Sequence, residues 1–379
     1  MAGIYIHIPF CRQACNYCNF HFSTSDRYQK AVVNAMVKEI RLLPSDPDFS
    51  SITTLQTVYL GGGTPSILSI ESIQRLLDTV KQEYSVETDA EITLEANPDD
   101  ISSDNLRSWL AAGVNRLSVG LQSFNDAELS WMNRAHNAQQ ALQSLNLIQQ
   151  AGFRNYSVDL IYGSPLLTDE MWVNHLNQVV QAGVPHLSCY ALTIEPQTPL
   201  HKLVRTGKKQ MTVPEQQAGQ FQIMTTLLKE AGFLHYEISN FALPGFESRH
   251  NSSYWKQAHY LGVGPSAHSY NGAIRRWNVA NNLRYVQSLE SGQIPFEREQ
   301  LTETQKYNEY IMTALRTSGG ILQEQLRFLQ GSETWFNDFI HQAKNWETSG
   351  HLMRDESGWR LTELGKLFAD GIAADLFAG

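Results

Sequence analysis

Cys11, Cys15 and Cys18 stand within eight positions of a 379-residue chain that has only four cysteines. Few and clustered cysteines of this kind read as metal or redox chemistry, not as a disulfide framework. A closed zinc site wants four ligands, or three with nitrogen or oxygen partners. Three thiolates on one short loop suit a 4Fe–4S cluster better, each tying one iron of the cubane and leaving the fourth iron open. An open iron invites a ligand that offers an amine and a carboxylate. A structural zinc site is the alternative. Phe10 and Phe20 flank the loop and could limit the access of water. Cys189, the fourth cysteine, occupies an apolar position of a strand pattern and reads as core.

Two further stretches carry chemistry. Gly61, Gly62 and Gly63 precede Thr64-Pro65 at the end of a strand-like run and lack the Lys-Ser/Thr of a phosphate loop. Backbone without Cβ atoms can approach a ligand closely, so these glycines predict a ligand contact. "RHNSSYW" (249–255) places His250 beside Tyr254 and Trp255, and an imidazole next to aromatic rings suits a heme iron and a porphyrin face. Arg249 could meet a propionate. His7, His136, His259 and His268 are weaker candidates for ligation.

These residues need a frame, and the chain supplies a repeated one. "AGVNRLSVG" (112–120), "AGFRNYSVD" (151–159), "AGVPHLSCY" (182–190) and "AGFLHYEIS" (231–239) align without gaps. In each, a helical pattern closes on Ala-Gly and a strand of period two follows. "IYIHI", "TVYLG" and "EITLE" alternate in the same way, with helical patterns such as Val33, Val37, Ile40 and Ile73, Leu77, Val80 between strands. Helix–strand alternation predicts an α/β fold of parallel βα units. A plugged barrel would carry branched apolar residues inside. The inner row here is polar, which predicts an open, partial barrel with a ligand in its lumen; an open sheet is the alternative.

The tail differs. After a break near Gly292 and Pro295, a helical module ends in a hairpin with Ser357-Gly358 at its turn, a winged-helix-like pattern. Residues 301–379 hold seven Lys/Arg against eleven Asp/Glu, so this wing reads as a packing or protein-contact module and not a DNA reader. A net charge of -9 argues against nucleic-acid or anionic-membrane binding. No apolar run is long enough for a transmembrane segment, and no secretion-type leader is present, which together predict a cytoplasmic protein.

"CRQACNYCNF" together with "YLGGGTPS" (59–66) resembles the radical S-adenosylmethionine superfamily. "YEISNFALPGFESRHNSSYW" (236–255), "GVGPSAHSY" (262–270) and "LTELG" extend the resemblance over nearly the whole chain, to the HemN-like branch. That branch holds oxygen-independent coproporphyrinogen dehydrogenases and heme chaperones. The resemblance implies a partial (β/α)6 radical-SAM barrel with an α-rich, winged-helix-like C-terminal domain. The expected division is 1–240 for the barrel, 241–298 for a family-specific extension or linker bearing HNxxYW, and 299–379 for the C-terminal domain.

It also implies S-adenosylmethionine against Gly62, Gly63 and Thr64 and beneath Tyr5, with contacts from Glu95, Gln122, Arg134 and Asp159. Glu95 would meet an ammonium, Arg134 a carboxylate and Asp159 a ribose hydroxyl. One electron through the cluster would cleave the cofactor to methionine and a 5′-deoxyadenosyl radical.

Two departures separate the branches. The dehydrogenases carry a further cysteine two residues after the third, where this chain has Phe20, and a long extension ahead of the cluster strand, where it has ten residues before Cys11. With HNxxYW, these favour a chaperone without coproporphyrinogen dehydrogenase activity. The implied cofactors are a 4Fe–4S cluster, S-adenosylmethionine and heme, with His250 on the heme iron. The implied partners are heme and recipient respiratory hemoproteins, with the membrane surface as a place of delivery. Coproporphyrinogen III dehydrogenation is the enzyme alternative.

Overall fold

The alternating pattern folds as six parallel strands: β1 (Ala2–Ile8), β2 (Thr54–Gly62), β3 (Ser85–Ala96), β4 (Arg116–Gln122), β5 (Asn155–Tyr162) and β6 (His186–Ala191). They neighbour one another in chain order in a computed structural model that describes residues 2–329 and 333–379. Side chains on alternate positions point to opposite faces. Ile4, Ile6, Val58, Leu60, Leu94, Leu117, Val119 and Val158 therefore turn outward and are buried under the helices that connect the strands. Those helices are Gln29–Leu42, Ile70–Glu83, Ser103–Ala112, Ala138–Ala151 and Asp169–Gln181. Cys189 is buried in the same core, as its position predicts.

The other face is the polar lumen row. Tyr5 lies beside Tyr59, Tyr59 beside Thr93, Glu95 beside Ser118, Gly120 beside Asp159, and Asp159 beside Ser188. Helix ends follow the repeat: Gly113 and Gly152 close their helices at φ +98° and +92°, a left-handed conformation that a Cβ disfavours.

The fourth repeat departs from its siblings. Leu234–Glu237 (β7) runs in the same sense as β6 but does not pair with it; β8 (Asn240–Ala242) lies between them, antiparallel to both. Only two residues separate β7 and β8, enough for a hairpin but far too few for the crossover that a parallel partner needs. Ile238 instead packs against the C-terminal core and donates its N–H to the Arg316 carbonyl at 3.0 Å.

Strands within residues 241–298 extend the barrel sheet. β9 (His259–Val263) lies parallel to β1, and β10 (His268–Tyr270), β11 (Ile274–Asn278) and β12 (Phe296–Gln300) follow it antiparallel. "GVGPSAHSY" is locked by the buried Glu39, whose carboxylate accepts from Gly264 N at 2.8 Å, Asn278 Nδ2 at 2.6 Å and the Tyr285 hydroxyl.

The C-terminal module has its own core around Tyr307, Ile311, Phe339 and Trp359. Helices Glu303–Leu315, Gln323–Leu329 and Glu333–Thr348 pack with a small antiparallel sheet of β13 (Ile321–Leu322), β14 (Leu352–Arg354) and β15 (Gly358–Leu361). This is the winged-helix-like arrangement expected. The turn, however, is Asp355–Ser357, with Asp355 Oδ1 accepting from Ser357 N at 2.8 Å and Gly358 N at 3.1 Å, and Gly358 already belongs to the strand. Among the described residues, no helix is long and apolar enough to cross a membrane.

Candidate cluster and cofactor site

The C-terminal ends of the barrel strands and the loops after them enclose a cavity of about 450 Å³. Ten of the twelve site residues expected from the sequence line it: Cys11, Cys15, Cys18, Gly62, Gly63, Thr64, Glu95, Gln122, Arg134 and Asp159. Tyr5 and His250 lie elsewhere.

Backbone bonds fix the cysteine loop at both ends. Cys11 N donates to Ser23 O at 3.0 Å, Ser23 N to Pro9 O at 3.0 Å, and Asn16 N to Met132 O at 3.1 Å. Asn133 Nδ2 donates to Ala14 O at 2.7 Å. The glycine loop is tied to the same place by Gly63 N to Ile8 O and Thr64 N to Phe10 O, each 2.8 Å. All three thiols are free and partly exposed. Burial pushes Cys11 up to about 11 and raises Cys18, with the neighbouring cysteines adding to both. Thiolates are therefore costly here until a metal takes the charge.

The donor set separates the two metal readings. Among the described residues, no three His, Cys, Asp or Glu side chains gather where one ion could be held, which does not suit a closed zinc site. A cubane needs one sulfur at each of three irons, and three loop cysteines on one cavity wall fit that demand. Phe10 is buried beneath the loop, whereas Phe20 is 65% exposed at the cavity mouth and gives little cover.

Arg134 reaches across the cavity lining. Its Nη2 donates to Asn97 Oδ1 at 2.7 Å and Gly120 O at 2.8 Å, and its Nη1 to Cys15 Sγ at 3.3 Å. Its Nε is buried with no partner in the protein. A two-pronged grip through both Nη atoms is thus already taken, and the Nε edge is the one left for an anionic group. Gln122 sits at φ +67°, where β4 shifts register against β5, a backbone strain typical of ligand sites.

Two carboxylates share the lumen. Glu95 Oε1 accepts from the Tyr59 hydroxyl at 2.7 Å and Oε2 from Gly62 N at 2.9 Å. Burial pushes Glu95 up to about 7, with Asp159 adding to the rise while Tyr59 and Gly62 N oppose it. Asp159 is raised to about 6 by burial, against the hydroxyl of Ser188 and the charges of Arg116 and Arg134. A cation placed between them would favour both ionised forms.

The glycines make room for the protein itself. A Cβ on Gly63 would stand 2.5 Å from Phe10 O, and one on Gly62 2.5 Å from His7 Nδ1. A Cβ on Gly61 would meet Tyr59 at 2.6 Å and Glu95 Oε1 at 2.9 Å. Gly62 and Gly63 also border the cavity.

Tyr5 lies below the lining, its hydroxyl 3.2 Å from His7 Nδ1 and its ring stacked on Tyr59. His250, expected from the motif as an axial ligand, lies outside this cavity. Its ring is 1% exposed, Nδ1 bonds Thr57 Oγ1 at 2.7 Å and Nε2 bonds the Tyr254 hydroxyl at 2.9 Å. Both nitrogens are engaged, at the start of β2 and thus at the barrel end opposite the cysteines. Arg249 is likewise occupied, donating to Asp89 O at 2.6 Å and Asp89 Oδ2 at 3.2 Å. Of the weaker candidates, His7 and His136 are buried on backbone carbonyls, whereas His259 and His268 are exposed. Beside the HNxxYW helix, Arg249–Trp255, a cleft of about 960 Å³ opens towards the C-terminal module, bordered by Trp255, Lys256 and Tyr310.

Sequence reasoning gave no role to Asn97 or Tyr59. Asn97 continues the inner phase of Thr93 and Glu95, so period two could have found it. Tyr59 was on the inner row, but its link to Glu95 spans two strands and no local pattern shows it.

A polar-lumened parallel barrel with three cysteines on the loop after its first strand defines the class, and residues 5–179 match the family described as the Radical SAM superfamily. The chain belongs to that superfamily and to its HemN-like branch. It is 33% identical to the heme chaperone HemW of Bacillus subtilis over 98% of each chain. It is also 33% identical to the mitochondrial radical S-adenosyl methionine domain-containing protein 1 of Bos taurus, over 100% of this chain and 87% of that one. Coproporphyrinogen III oxidase HemN from Escherichia coli superposes with a TM-score of 0.85 over 100% of this chain and 90% of that one; at 23% identity this likeness concerns the fold.

Proposed function

We propose that this protein is a heme chaperone of the cytoplasm that carries a 4Fe–4S cluster on Cys11, Cys15 and Cys18, with S-adenosylmethionine beside it, and passes heme to respiratory hemoproteins. The observation that carries the reading is the end-to-end likeness to a protein named for heme chaperoning. A reduced cluster would supply an electron to the bound cofactor; the chain orients that cofactor and limits water. Glu95 and Asp159 offer carboxylates to its cationic and hydroxyl groups, and Arg134 Nε a donor to its carboxylate.

For heme we favour the base cleft. Its volume falls within the range of ligand sites. Trp255 offers a ring for the porphyrin face, and Lys256 an exposed ammonium for a propionate. Anaerobically reconstituted protein loaded with heme and mixed with an apo-hemoprotein tests the reading. Transfer of the heme absorbance band supports it. Failure to bind heme, with conversion of coproporphyrinogen to protoporphyrinogen under reduction, would select the dehydrogenase alternative.

A further inference from the structure

We propose that Tyr59, backed by the ring of His250, is a positioning residue that holds the Glu95 carboxylate in place for the cationic nitrogen of the ligand in the upper cavity. The inference rests on the reading that S-adenosylmethionine occupies that cavity, and it gives the HNxxYW segment a task there.

The contacts form a continuous column up the inside of the barrel. At its foot, Glu91 Oε1 accepts from His250 N at 2.9 Å and Oε2 from Arg249 N at 3.0 Å, which docks the first turn of the HNxxYW helix onto β3. Thr57 and Tyr254 then hold both nitrogens of the His250 ring. That ring stacks on Tyr59 with centroids 4.8 Å apart and planes 24° from parallel, while Tyr5 stacks on Tyr59 at 5.9 Å and 30°. Tyr59 is 7% exposed, so its ring has no room to swing, and its hydroxyl ends on Glu95 Oε1. Glu91 and Glu95 lie on one face of one strand, so the column is braced at both ends by β3.

An ionised carboxylate has about four acceptor positions. Tyr59 and Gly62 N take one on each oxygen, which leaves the others for the ligand and fixes the plane in which they point. Gly61 belongs to the same device, because any Cβ there would overlap both Tyr59 and Glu95.

The charge on Glu95 is felt by Tyr59 on β2, Asp159 on β5, Tyr5 on β1, Tyr190 at the end of β6, Tyr254 on the HNxxYW helix and Cys18 on the loop. Burial and Asp159 favour the protonated form, and Tyr59 and Gly62 N the ionised one. Loss of the Tyr59 hydroxyl should therefore raise the pH at which the site gains its cation.

The test is a double-mutant cycle on cluster-reconstituted protein, with S-adenosylmethionine binding read by calorimetry across pH 6 to 9. Tyr59→Phe should weaken binding by about tenfold or more, the effect of losing a hydrogen bond to a charged group, and move the pH midpoint upward. In a Glu95→Gln background the same change should have almost no effect, because the hydroxyl acts through that carboxylate. His250→Phe keeps a packed ring but drops two hydrogen bonds. It should weaken binding less and, again, only while Glu95 is present. Iron content and thermal midpoint check that each variant is folded and loaded. An equal Tyr59→Phe effect with and without Glu95, or an unmoved pH profile, overturns the positioning role. Wild-type protein that binds no S-adenosylmethionine overturns the cofactor reading beneath it.

Discussion

Replacing His250 by alanine separates a buried brace from a heme ligand. The ring is 1% exposed and makes hydrogen bonds of 2.7 Å and 2.9 Å to Thr57 and Tyr254, besides its stack on Tyr59. Truncation leaves two buried hydroxyls short of a partner, at about 1–3 kcal/mol for each fully stranded group, and opens a ring-sized void. Aromatic-to-alanine changes in cores cost about 3–5 kcal/mol, and that range is expected here. Against a typical total of about 5–15 kcal/mol this is a large fraction, so the variant should be visibly less stable. Urea unfolding of cluster-free protein, followed by circular dichroism, should show a lower midpoint at unchanged slope. Heme bound per folded molecule should stay near the wild-type value. An unchanged midpoint together with selective loss of heme would refute the reasoning and restore the imidazole as an iron ligand.

Three other outcomes follow from the same contacts. Gly63→Ala should destabilise the cysteine loop by about 1–3 kcal/mol, since its Cβ would lie 2.5 Å from a backbone carbonyl that cannot rotate away; a lower unfolding midpoint with poorer iron loading checks this. Trp255→Ala and Lys256→Glu, on the rim of the base cleft, should weaken heme binding several-fold while iron and sulfide stay unchanged; retention of heme by both would remove that cleft as the site. Cluster-free protein should also lose stability as pH falls below 6.5. Burial keeps His7, His136, His175 and His235 neutral to about 4 and His250 to about 3, and holds His186 well below its ordinary value, while the unfolded chain takes up protons near 6.5. The folded state binds fewer protons at these six, so stability falls with pH there. Glu95, Asp159 and Glu39, raised to about 7, 6 and 6, act in the opposite sense between pH 7 and 4.5. Asp100, Glu128 and Glu237, also raised by burial, add to that opposing sense, and His268, also lowered, to the first. The slope therefore stays below the roughly 4 kcal/mol per pH unit that three protons would give; a urea midpoint as high at pH 5 as at pH 7 would contradict it.

The frame of the site was legible because period two reports which residues share a strand face. That pattern put Glu95 and Asp159 on the inner row, and both line the cavity. The cysteine spacing located the loop, and position along the chain placed it at a strand end. Alternation reports a strand face but not its neighbour, so the fourth repeat looked like its siblings although β8, sent back by a two-residue turn, takes the place beside β6. Nor does spacing tell a glycine that admits a ligand from one that admits a protein side chain, and Gly61 is the second kind. The bonded, buried setting of His250 was out of reach of the sequence for a related reason. Its surroundings are Thr57 and Tyr59, nearly two hundred residues earlier, and only the closed barrel brings them to the ring.

The central claim is that three loop cysteines hold an iron–sulfur cluster with a vacant iron facing the polar cavity. Iron and acid-labile sulfide should be quantified on anaerobically reconstituted protein, with the electron paramagnetic resonance spectrum of the reduced sample recorded before and after S-adenosylmethionine is added. About four irons and four sulfides per chain are expected, a spectrum that shifts on addition, and loss of both in Cys11→Ser, Cys15→Ser and Cys18→Ser. Stoichiometric zinc without iron, or a cluster that survives removal of all three thiols, would contradict the account.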